Sequence, residues 1–144
     1  MYNIGYETLL SLKKIAVDIL IPPFIWGPDW VAVWIIGPDG SNFTFNLPRG
    51  EIKWNSSWDC SPEAIKKMAK KKATLAHKYK KNTDEILSQP ELFVWEGELY
   101  AGGIFRNSFA VGVSGAEEWT DHYLAECISA RIMLEFRKEK GMLL

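Results

Sequence analysis

Apolar residues recur at Leu9, Leu12, Ile15, Ala16 and Ile19. This is the three-to-four-residue spacing of an amphipathic helix over residues 8–20, and Pro22-Pro23 ends it. Residues 30–36 are almost continuously apolar and β-rich, the pattern of a central strand buried on both faces. Pro38-Asp39-Gly40 marks a turn. Phe43, Phe45 and Leu47 then alternate with Asn42, Thr44 and Asn46, which predicts a half-buried second strand. Residues 48–60 read as an irregular loop. Ser61-Pro62-Glu63 is a helix start, with a serine cap, proline at the first helical position and an acid at the positive end. That helix is expected to reach about residue 81. Beyond Ser88-Gln89-Pro90, three short β segments are expected near 92–96, 98–104 and 109–113. Gly97 and Arg106-Asn107-Ser108 supply their turns. A last helix starts near Glu117 and passes Phe136. The predicted fold is α+β: one domain over 1–144, with a five-stranded, largely antiparallel sheet flanked by helices.

One position breaks the pattern of the second helix. At about 100° per residue, Ile65, Met68, Ala69, Ala73, Leu75, Ala76 and Tyr79 share an arc of about 160°, and Lys72 falls inside it. An ammonium buried without a partner is costly. Lys72 must therefore snorkel to water, pair with an acid, or face a ligand that needs a cation.

Charge adds a second feature. Residues 66–81 hold eight lysines and no acid, which leaves the rest of the chain at −9 against a total of −1. A total so near zero argues against a dedicated nucleic-acid binder. The stripe reads as a solvated helix face or a contact with an acidic surface. With 47% hydrophobic and 24% charged residues, the chain has the composition of a globular protein. No apolar run approaches the ~20 residues that span a bilayer. The N-terminus lacks the basic start and apolar stretch of a signal peptide. Cys60 and Cys127 are the only cysteines, so the expectation is reduced thiols, a cytoplasmic protein and no structural zinc.

Candidate chemistry concentrates near residue 112. Gly112 and Gly115 permit close backbone approach at a strand end. The helix that follows offers free N–H groups to a carboxylate or phosphate. Ser114 adds a hydroxyl, but the G-x-S-x-G spacing of a nucleophile elbow is absent. Asp121 is placed to cap the last helix or to pair with a cation such as Lys72. Five of the seven tryptophans (26, 30, 34, 54 and 58) lie close together in sequence. Trp26, Trp54 and Trp58 fall outside the predicted strand and are candidates for a pocket or an interface.

Three segments, taken in order, carry a resemblance. They are Val31-Ala32-Val33-Trp34-Ile35-Ile36-Gly37-Pro38-Asp39-Gly40; Ser61 with Ala69, Lys72-Ala73, Ala76 and Tyr79; and Gly102-Gly103 followed by Val111-Gly112-Val113-Ser114-Gly115-Ala116 and Asp121. Together they resemble the GlcG-like family, also called the haem-degrading or HbpS-like family. The resemblance implies a profilin-like fold, a symmetric homo-oligomer and, for some members, binding of haem or a related tetrapyrrole. His77 and His122 are the only histidines, and His122 is the candidate iron ligand. The expected ligand site comprises Lys72, Gly103, Gly112, Val113, Ser114, Gly115, Asp121, Trp54 and Trp58. The expected activity is small-molecule binding. The alternatives are an enzyme acting on a small carbonyl or carboxylate substrate with Lys72 as base or clamp, and a structural protein with no chemistry.

Overall fold

Four strands form one antiparallel sheet in the order β2-β1-β4-β3. They are β1 (Trp30–Ile36), β2 (Asn42–Pro48), β3 (Gly103–Arg106) and β4 (Phe109–Ser114). Three helices accompany them: α1 (Pro62–Tyr79), α2 (Thr83–Ser88) and α3 (Glu118–Glu139). This computed structural model describes residues 30–48, 62–115 and 118–139. The helix expected over 8–20 and the loop carrying Trp54 and Trp58 lie outside the described residues, as does Trp26.

The α+β class agrees with the sequence pattern, but the described sheet has four strands rather than five. The difference lies in residues 92–102, where two strands were expected. Residues 92–96 do alternate between exposed and half-buried, with Phe93 and Trp95 packed on Leu75, Ile86 and Leu99. Their backbone, however, bonds to side chains. The Tyr79 hydroxyl donates to the Val94 carbonyl at 2.7 Å and accepts from the Val94 N–H at 3.1 Å. Lys71 Nζ donates to the carbonyls of Glu96 and Glu98, and the Ala101 N–H donates to Glu118 Oε1 at 2.9 Å. With these groups satisfied by α1 and α3, only Gly103 and Ile104 of the strand expected over 98–104 join the sheet, in a strand that runs on through Arg106, a residue expected in the turn.

The two sheet faces are filled differently. Val31, Val33, Ile35, Phe109, Val111, Val113 and Ile104 meet Leu124, Ala125, Ile128, Ile132 and Met133 of α3. This is the larger core, and each fully buried aliphatic there contributes roughly 1.5–3 kcal/mol. The other face carries Ala32, Trp34, Ile36 and Ala110 against Ile65, Ala69, Ala73 and Ala76 of α1. Alternate residues of β1 and β4 thus serve opposite helices, as expected for strands covered on both sides.

Local signals explain the element ends. Pro62 opens α1 and Glu63 lies in its first turn. Lys80 adopts a left-handed conformation (φ 55°), and the Lys81 N–H returns to the Ala76 carbonyl at 3.3 Å. This six-to-one bond closes α1 two residues before the expected end. Asn107 and Ser108 both have positive φ (48° and 70°), the signature of a two-residue hairpin turn. The short helix α2 was not anticipated, although Asn82-Thr83-Asp84-Glu85 spells a capping box. Glu85 Oε1 accepts from the Asn82 N–H at 3.4 Å.

Candidate functional site

Lys72 projects from the face of α1 that packs on the sheet and is 1% exposed. Its ammonium reaches the end of the sheet where β4 stops. There it donates to the Val113 carbonyl at 2.8 Å and to Asp121 Oδ2 at 3.3 Å. Asp121, 3% exposed, lies in the first turn of α3 on the opposite side of the sheet. The ion pair therefore joins α1 to α3 around the sheet end, with both charges withdrawn from water.

Glycines make room for this connection. Gly102 has φ +125°, a conformation that side-chain-bearing residues rarely adopt, and a Cβ there would stand 2.8 Å from Lys72 Nζ and from the Val113 oxygen. The Gly102 carbonyl accepts from the Val113 N–H at 2.9 Å. A Cβ at Gly103 would strike Thr83 Cγ2 at 2.6 Å and the Lys72 carbonyl oxygen at 2.8 Å. One at Gly112 would collide with the backbone of Ala69 and Ala73. Gly103 and Gly112 are register partners, so α1 lies directly on the bare backbone of two neighbouring strands.

The structure brings seven of the predicted residues together: Lys72, Gly103, Gly112, Val113, Ser114, Gly115 and Asp121. All seven are buried. Trp54 and Trp58 lie outside the described residues. The start of α3, considered above as an anion site, already carries acids in its first turn, Glu118 and Asp121. Glu118 is bound to the Ala101 amide and Asp121 to Lys72, so the positive end of this helix is met by the chain's own carboxylates.

His122 occupies a different part of α3. Its Nε2 lies 3.3 Å from Glu126 Oε1, and its ring meets Trp119 edge-on, with centroids 5.7 Å apart. His122 Nδ1 is buried and without a partner among the described residues. Trp119 and Tyr123 beside it are 59% and 48% exposed. His77 is half-buried against Phe105. Among the described residues no group of three or more His, Cys, Asp or Glu side chains could hold a metal ion. None of the described helices is long and apolar enough to cross a membrane.

Sequence reasoning missed Gly102, Asn82, Thr83 and Glu118. Gly102 was visible as half of the double glycine, but its task depends on where Lys72 ends. Thr83 Oγ1 accepts from the Gly103 N–H at 2.9 Å, and Asn82 Oδ1 accepts from the Phe105 N–H at 2.9 Å. The capping-box pattern would have revealed α2, though not these two contacts.

No family model and no curated protein matches the chain. Among solved structures, the chain is similar to the Klebsiella pneumoniae protein ORFY, described as DUF336. The TM-score is 0.53 and the identity 19%, over 85% of this chain and 83% of that one. The α+β fold described here is thus one shared with a DUF336 protein.

Proposed function

We propose that this chain is a small-molecule-binding protein of the GlcG-like type, with a profilin-like fold and no covalent chemistry of its own. The supporting observation is convergence. Residues 72, 102–103, 112–115 and 121, far apart in sequence, meet at one end of the sheet around a buried cation. A buried ion pair adds little stability compared with apolar residues of the same volume, so its presence favours a task beyond packing. The DUF336 neighbour and the blocks that resemble the GlcG-like family support the same assignment.

The ligand class proposed is haem or a related tetrapyrrole, with His122 as the iron ligand and Trp54 and Trp58 as apolar contacts. The exposed indole of Trp119 beside His122 suits a flat aromatic ligand. Titration with haem tests this: a saturable Soret shift at about micromolar haem is expected, and its absence removes the tetrapyrrole.

The geometry favours binding over acid–base catalysis. A general base must present its nitrogen lone pair to a substrate, whereas Lys72 is 1% exposed and its ammonium already donates to two acceptors. A Lys72→Met protein that loses a measured turnover while keeping its stability would restore the enzymatic alternative. An assembly role is favoured by one observation, the exposed Trp119, Tyr123 and Leu134 on α3, which suit a homo-oligomer contact. Sedimentation showing only monomer would end that second possibility.

A further inference from the structure

Lys66 and Lys70 stand one turn apart on α1 and converge on a single side chain. Their Nζ atoms lie 6.0 and 5.4 Å from the centroid of the Trp34 ring. Trp34 is half-buried on β1, and its indole N–H donates to Asn42 Oδ1 at 2.8 Å. Thr44 is the register partner of Trp34, and Asn46 that of Ala32. The side chains of Asn42, Thr44 and Asn46 are all exposed. They alternate with Phe43 and Phe45, which pack towards α3, so they lie on the α1 side of the sheet. α1 packs over β4, β1 and β3, leaving the polar face of β2 beside it. The result is a ledge with a lysine wall, an indole floor and an amide and hydroxyl rim.

Among the described residues, the charges on this ledge are unbalanced. Like charges at i and i+4 repel, and the ion pairs among the described residues involve neither lysine. Glu63, the nearest acid in sequence on the same helix, pairs with neither. The rim retains bonding capacity. Thr44 Oγ1 donates to the Val33 carbonyl at 3.0 Å and keeps its lone pairs, and the Asn46 amide is exposed.

We infer that this ledge binds a small phosphorylated polyol of the sugar-phosphate class. The phosphate lies between the Lys66 and Lys70 ammonium groups, the C–H face of the sugar rests on Trp34, and its hydroxyls meet Thr44 and Asn46. A small ligand fits better than a polymer. Two further lysines of the helix are engaged elsewhere: Lys71 on the Glu96 and Glu98 carbonyls, Lys78 over the Tyr79 ring. The −9 of the remaining chain repels an extended polyanion. This site is separate from the one around Lys72 and does not depend on the tetrapyrrole proposal.

The test follows the Trp34 indole N–H signal in ¹⁵N-labelled protein, assigned with Trp34→Phe. Ribose 5-phosphate, ribose, sodium sulfate and a thymidine oligonucleotide are titrated in parallel, each small molecule to about 10 mM, a range that covers weak millimolar binding. The expected result is a saturable shift with ribose 5-phosphate that neither ribose nor sulfate reproduces. Affinity should fall about tenfold or more in Lys66→Gln/Lys70→Gln, as loss of two charge-assisted contacts requires. Asn46→Ala should weaken binding with the charge intact, and Lys78→Gln should leave it unchanged. The inference is overturned by no saturable shift, by an equal response to sulfate, by tighter binding of the oligonucleotide, or by full affinity in the double variant.

Discussion

Gly103 and Gly112 sit directly opposite each other on β3 and β4, and the backbone of α1 rests on both. The close approach of helix to sheet is therefore set by two absent side chains.

Gly112→Ala should expose this dependence. The new methyl meets the Ala69 carbonyl and the Ala73 nitrogen, which are helix backbone and cannot swing aside. A loss of about 1–3 kcal/mol or more is expected from overpacking of this kind, measured by urea unfolding. A variant as stable as the parent would mean that α1 does not lie where described.

The Lys72–Asp121 pair should behave as a unit. Removing one partner leaves the other charge buried without its counter-ion, so Lys72→Met or Asp121→Leu should each cost about 3–5 kcal/mol. The double variant should recover much of that loss, because no charge is then stranded. Denaturation midpoints around this double-mutant cycle provide the measurement, and strictly additive losses would count against the coupling.

How much of this was legible beforehand depended on whether a feature was local. Helical periodicity alone marked Lys72 as misplaced, and the need of a buried ammonium for an acceptor made Asp121 a reasonable partner. Asn107-Ser108 announced its hairpin through turn chemistry. The alternation in residues 92–96 was read as a strand because alternation records which side chains are buried, not what the backbone bonds to. Here Tyr79, a helix residue, takes both polar groups of Val94. No pattern within residues 92–96 could reveal that, since the decisive partner lies fifteen positions away on another element. Gly102 was hidden for the same reason: its neighbour is the far end of a lysine thirty residues earlier.

Tyr79→Phe tests that attachment. Losing the hydroxyl should cost about 1 kcal/mol, an ordinary net hydrogen bond. Hydrogen exchange should quicken at the Val94 amide while β4 remains protected. An unchanged exchange rate at Val94 would show that the loop is held by its apolar side chains alone.

Thr83→Val should leave the buried Gly103 amide without its acceptor. The penalty expected for an orphaned donor is about 1–3 kcal/mol, again by urea unfolding. Thr83→Ser keeps an acceptor oxygen and should lose much less, which separates the hydrogen bond from simple packing.

Tyr100 gives a pH-dependent prediction. Its hydroxyl donates to Glu98 Oε2 at 2.9 Å. That bond, then burial and the charges of Glu98 and Glu118, hold its ionisation above the usual phenol range. Because the folded value is raised, the stabilisation is present in full below the ordinary tyrosine range and disappears as pH rises through the higher value. The stability gap between wild type and Tyr100→Phe should therefore be constant near neutrality and close above about pH 10.

The caps on β3 bear on how the sheet can grow. In the β3–β4 ladder the amides of Gly103 and Phe105 point away from β4, and Thr83 and Asn82 occupy both. That border is shut to a further strand. On the other border, β2 pairs only with β1 among the described residues. Among the described residues β2 is therefore the one border left to pairing: two copies joined there present only the capped β3 borders outward, so strand pairing between these four-stranded sheets stops at a pair.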